Sequence, residues 1–137
     1  MRCRIVLVIL SVCTFAHQLS ARPSKSARHI TIDPGYSSAL ATANRFLHAW
    51  QTQDHETGIM MLSDAARQRV SPDQLQEFFS PAASAAFEIE HGKRLNAGEY
   101  AFPVVLFGLA RSHDRAHICR IVVIRAGKDD WAVDKLP

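Results

Sequence analysis

From Tyr36 onward the apolar positions recur three and four residues apart: Tyr36, Ala39, Leu40, Ala43, Phe46, Leu47 and Trp50. That spacing places the seven side chains on one stripe of a helix. Asp33 is suited to cap it and Pro34 to occupy its first position, and the pattern runs to about Gln53. Arg45, His48 and Thr52 fall on the opposite face, so His48 reads as a surface residue and not as a catalytic one. Asp54 can cap a second, shorter helix whose apolar contacts come from Ile59, Met60 and Leu62, weakened by Gly58. Ser63-Asp64 opens a further helical stretch through Arg69. Ser71-Pro72-Asp73-Gln74 has the spacing of a capping box, after which Leu75, Phe78 and Phe79 supply a buried side and Pro81 a stop.

After Ala85 the period changes to two. Phe87, Ile89 and His91 alternate with Glu88 and Glu90, as in a half-exposed strand near a sheet edge. Asn96-Ala97-Gly98 marks a turn, and Tyr100 to Ala110 is apolar at both parities, which predicts a strand buried on both faces. Ser112-His113-Asp114 turns into a strand from Ala116 to Arg125, and Gly127-Lys128-Asp129-Asp130 turns into Trp131 to Asp134. Strands joined by short loops pair antiparallel. The expected class is α+β, N-terminal helices packed on one face of a curved antiparallel sheet.

The start of the chain has a different character. A basic opening, Arg2 and Arg4, precedes the apolar run Ile5 to Ala16, which is shorter than a membrane span needs and is followed by polar His17-Gln18. This is the pattern of a secretory signal peptide, with cleavage expected near Ala21 and a secreted or periplasmic destination, leaving no stable membrane span. Leu10-Ser11-Val12-Cys13 resembles a lipobox but departs from it at Val12, where Gly or Ala is preferred, so a lipid anchor at Cys13 is not expected. The expected organisation is therefore residues 1–21 as signal peptide, 22–32 as a polar basic linker and 33–137 as one domain.

This division changes the meaning of the composition. The 137 residues carry a formal net charge of +3, but Arg2, Arg4, Arg22, Lys25 and Arg28 all precede Thr31. Without those five, sixteen cations fall to eleven against thirteen acids, and the body becomes mildly acidic at −2. Nucleic-acid binding by the domain thereby loses its electrostatic support. Cys3 and Cys13 also belong to the leader, so Cys119 is left alone, without an internal disulfide partner and expected as a small buried hydrophobe.

The first-helix pattern Ala43-x-x-Phe46-Leu47-x-Ala49-Trp50 with Asp54 after it, the stretch carrying Leu62-Ser63, and the closing strand with Trp131-x-Val133-Asp134 resemble the nuclear transport factor 2-like superfamily, a cystatin-like α+β cone, over roughly Ser37 to Pro137. The resemblance implies a cavity between helices and concave sheet, for which Phe46, Trp50, Tyr100 and Phe102 are the candidate lining residues, and often a homodimer through the outer sheet face. The superfamily holds ketosteroid isomerases, polyketide cyclases and exported binding modules, and fold alone does not choose among them.

Enzymes of this kind need a carboxylate or His-Asp pair in the cavity. No such acid matches by position, so no catalytic residue is assigned. A carboxylate or histidine within reach of Tyr100 would favour a lyase or isomerase acting on a hydrophobic substrate. His113, His117 and Cys119 share a strand parity, but a zinc site wants three or four ligands and Arg115 lies among them, so no metal is expected. The Gln-x-Val-x-Gly loop of cystatin inhibitors is missing, as are nucleophile-elbow, phosphate-loop and zincin motifs. No cofactor is expected. The leading expectation is non-catalytic binding of a small apolar ligand or a protein partner, with homo-oligomeric assembly as a further alternative.

Overall fold

The computed structural model describes residues 33–110 and 115–137. The expected signal peptide with its expected cleavage point, the lipobox-like segment and His113 lie outside the described residues. The first helix, α1 (Pro34–Gln51), starts where its chemistry dictates: Asp33 Oδ1 accepts from Gly35 N at 3.0 Å and Pro34 follows the cap. It ends two residues earlier than the apolar stripe allows, because Thr52 closes the last turn and Gln53 takes a left-handed φ of 59°. Three short helices follow, α2 (His55–Met60), α3 (Asp64–Arg69) and α4 (Pro72–Phe78), capped by Asp54, Ser63 and Ser71. The capping box at Ser71 and Gln74 is complete in both directions.

The sheet comprises β1 (Ala86–Ile89), β2 (Lys93–Asn96), β3 (Glu99–Phe107), β4 (His117–Arg125) and β5 (Trp131–Lys135). Its order is β1-β3-β4-β5 with β2 beside β3, every strand pair antiparallel. Strand β2 carries no alternating pattern and all four of its residues are exposed. It forms because Gly98, at φ 79°, folds the chain back so that Arg94 meets Tyr100 and Lys93 meets Ala101.

Register decides which side chains enter the core. Tyr100, Phe102, Val104 and Leu106 of β3 stand opposite Val123, Ile121, Cys119 and His117 of β4, and this set faces the helices. Ala39, Ala43, Phe46, Leu47 and Trp50 of α1 bury against it. The outer face corrects one expectation. Ala101 is buried there, but Pro103 and Val105 are half-buried, Phe107 is 41% exposed and Ile118 is 79% exposed, so β3 is covered on one face only. Met60 is a second correction, because at 72% exposure it makes no core contact and Gly58 occupies the buried position of α2 instead.

A clasp joins α3 to β5. Leu62 and Val133 form a parallel bridge, Ser63 N donates to Val133 O at 2.9 Å, and Ser63 Oγ donates to Asp134 Oδ1 at 2.6 Å while accepting from Ala66 N. Arg69 Nη2 reaches Asp134 Oδ2 at 2.8 Å. The Ser63 hydroxyl first, and Arg69 with it, hold the Asp134 carboxyl below its ordinary value, against partial desolvation. A carboxyl with a depressed folded pKa contributes stability above its unfolded pKa of about 3.9, and that contribution disappears as pH falls through the lower folded value. The difference in urea midpoint between pH 7 and pH 3 is therefore expected to shrink in Asp134→Asn. Some of it will remain, because Asp33 and Asp54 are held below their ordinary values too. An unchanged difference would refute the assignment.

Candidate functional site

The four residues expected around a cavity all belong to the core between helices and sheet, Phe46 and Trp50 packing with Phe78 toward the end of α1 and Tyr100 and Phe102 with Tyr36 at its start. None of them lines either of the two open pockets described below. Phe46, Trp50 and Phe102 are fully buried, and Tyr100 is 3% exposed. Phe46 stacks near Phe78 and meets Phe79 edge-on, with ring centroids 6.0 and 5.6 Å apart. Trp50 packs on Phe78, and its indole N–H finds no acceptor among the described residues. Tyr100 has a partner that sequence separation concealed: its hydroxyl donates to Asp33 Oδ2 at 2.5 Å, 67 residues away.

Asp33 therefore does two things. It caps α1 through Oδ1, and it holds the Tyr100 hydroxyl through Oδ2, with the Arg94 guanidinium 3.9 Å away. The Tyr100 hydrogen bond is the largest cause that lowers the Asp33 carboxyl below its usual range. The same bond, with burial, raises the Tyr100 phenol. A carboxylate held more firmly ionised is a weaker base, the reverse of what general-base chemistry near neutral pH asks for.

Next to this pair the structure opens into a groove. Tyr36, Leu40, Asn44 and His48 form one row at every fourth position of α1. Across from them stand Phe87 and Ile89 of β1, and with Ser37 and Ala41 the two walls enclose about 760 Å³. The groove has two defined ends. At one, the His48 ring meets Phe87 edge-on with centroids 5.1 Å apart. At the other, the Tyr36 hydroxyl lies 3.3 Å from His91 Nδ1 and accepts from Gly92 N at 3.1 Å. The Tyr36 ring is also the floor's link to the core, packing on Tyr100 at 5.9 Å and on Phe102 at 5.5 Å between centroids.

A larger cleft of about 1030 Å³ lies between α1, the start of α3 and the β4–β5 hairpin. Its walls mix Arg45 with Asp129 and Asp130, and Arg67 there is already paired with Asp64. The smaller groove is the better candidate, because an apolar floor with a few polar groups at its rim is the common form of a ligand site. Leu40, Phe87 and Ile89 were legible in the sequence only as members of a helical stripe and a strand alternation. Nothing in either pattern says that Tyr36 and Leu40, at the margin of the stripe, stay half-buried.

Cys119 faces the core side of β4, opposite Val104, and burial pushes its thiol up to about 11, so it is a thiol and not a thiolate at neutral pH. Among the described residues no three His, Cys, Asp or Glu side chains converge as a metal site, and no helix is long and apolar enough to cross a membrane.

No protein-family model matches the sequence, and no curated protein does. Among solved structures the chain is similar to a ketosteroid isomerase-like protein from Erwinia carotovora atroseptica SCRI1043, at a TM-score of 0.51 and 14% identity, over 74% of this chain and 92% of that one. At that identity the likeness speaks for the fold alone, and the chain has the nuclear transport factor 2-like α+β cone.

Proposed function

We propose that the domain is a non-catalytic binding module whose site is the apolar groove between α1 and β1. The observation that carries this reading is the lining itself: Tyr36, Leu40, Phe87 and Ile89 are half-buried around an open volume, with Ser37 and Asn44 as polar groups at the rim. Half-buried apolar side chains around a concavity gain the rest of their burial from a ligand. The test uses 1-anilinonaphthalene-8-sulfonate as an apolar probe, with its fluorescence titrated against the folded protein. Leu40→Glu, which places a charge in the groove wall, should weaken probe binding at least about tenfold, since a leucine's burial is worth roughly 1.5–3 kcal/mol. Circular dichroism will show whether that variant keeps its fold. Equal affinity in wild type and Leu40→Glu would remove the groove as the site.

A second reading has one specific observation in its favour, the Asp33 carboxylate at 2.5 Å from the Tyr100 hydroxyl. It is the arrangement that a small isomerase or lyase would place against a hydrophobic substrate. We rank it second because both oxygens of Asp33 are already engaged and its carboxyl is lowered. Turnover of a β,γ-unsaturated ketosteroid that disappears in Asp33→Asn would reverse the ranking.

A further inference from the structure

Strand β1 is an edge strand, paired with β3 and with no other strand among the described residues. Glu90 N donates to Pro103 O at 2.9 Å, and that bond sets the alternation along β1. Ala86, Glu88 and Glu90 turn their backbone groups toward β3, and Phe87 and Ile89 turn theirs toward the open edge. At the start of the strand the edge is already closed, because Gln51 Nε2 donates to Ala85 O at 2.8 Å. Beyond that point the N–H and C=O of Phe87 and Ile89 have no partner among the described residues, beside the groove that their own side chains line.

We propose that the occupant of the groove is an extended peptide segment of a partner protein, alternating apolar and basic residues, which adds to β1 as a further strand. This rests on the groove being the binding site. A strand laid along the edge would take up these groups of Phe87 and Ile89 by main-chain hydrogen bonds. Residues opposite Phe87 and Ile89 share their face of the sheet and enter the groove beside Tyr36 and Leu40. Residues between them fall on the outer face, where Glu88 and Glu90 are exposed. Opposite charges across neighbouring strands attract, so the segment is basic at those positions. A second copy of this chain fits poorly: antiparallel pairing of β1 with itself sets Glu88 opposite either Glu88 or Glu90 of the copy when the strands overlap along the open edge, and like charges placed opposite repel.

The experiment measures fluorescence anisotropy of a labelled hexapeptide of alternating lysine and valine, titrated with the full chain. A block peptide of three lysines followed by three valines has the same composition without the alternation. The alternating peptide is expected to bind at least about tenfold more tightly than the block peptide, the difference that valines placed in the groove and two charge contacts supply together. N-methylation of the valine amides, which removes the donors that face β1, should abolish its binding. The double variant Glu88→Lys/Glu90→Lys, exposed at both positions, should weaken it about tenfold while binding the anilinonaphthalene probe as wild type does. Equal binding of the block or the N-methylated peptide, with probe binding intact, would overturn the strand addition and leave the groove standing. Loss of probe binding in wild type would remove both readings. A dimer in sedimentation that the alternating peptide dissociates would show that a second copy holds the edge, and would also overturn the proposal.

Discussion

Replacing Phe102 by alanine is expected to remove about 3–5 kcal/mol of folding stability, measured as a fall in the urea midpoint at constant slope. Phe102 is fully buried at the centre of β3, opposite Ile121, with the Tyr36 ring 5.5 Å away. A domain of this size has about 5–15 kcal/mol in total, so one truncation takes a large share. Two features sharpen the test. A Cβ added at Gly92 would lie 2.3 Å from Phe102 Cδ1, so Gly92→Ala should destabilise the wild type and should do so less in the Phe102→Ala background. Phe102→Leu, with volume closer to wild type, should cost less than about 1.5 kcal/mol and stay folded. Because Tyr36 rests on Phe102, that milder variant should still lower probe affinity in the groove. If Phe102→Leu binds the probe as wild type does, the groove floor does not depend on the core beneath it.

The second large effect has a sign that helix propensity predicts wrongly. Gly58 sits inside α2, where replacement by alanine would ordinarily gain up to about 1 kcal/mol. Here the added methyl would lie 2.1 Å from Phe79 Cζ and 2.2 Å from Cε1. Phe79 is fully buried and packed edge-on against both Phe46 and Phe78, so its ring has nowhere to move. Gly58→Ala is expected to lose about 1–3 kcal/mol, the range for overfilling a packed core. In a Phe79→Leu background the same change should cost much less. A stabilising Gly58→Ala in otherwise wild-type protein would show that α2 can shift away from the ring.

These two positions also mark where the sequence is legible and where it is not. The glycine at position 58 reads as a weak point in a short helix, because its reason is a phenylalanine 21 residues further on. Met60 reads as a core contact on the strength of being apolar, yet so short a helix has only one buried position and Gly58 holds it. Tyr100 to Ala110 reads as apolar at both parities, but covering layers exist on one side alone, and Phe107 and Ile118 remain exposed on the other. Asp33 reads as a helix cap and is one. That it also receives the Tyr100 hydroxyl follows from β3 passing beneath the start of α1, a contact between residues 67 apart.

Local rules settled what local interactions control. Side-chain oxygens that satisfy the first amides of a helix made Asp33, Asp54 and Ser71 readable as caps, and all three cap, while Ser63, read only as the opening of a helical stretch, caps as well. Periods of three to four and of two separated the helices from the strands, because burying one stripe or one face is the only way each element joins a core. Those signals were enough for an α+β class and for most of the element boundaries. Packing between distant segments determined the rest: β2, held to β3 without any pattern of its own, the clasp of Ser63 and Asp134, and the margin of the α1 stripe that β1 leaves uncovered. A groove is a gap between two elements, and its walls are written in two separate stretches of chain, each of which reads only as its own helix or strand.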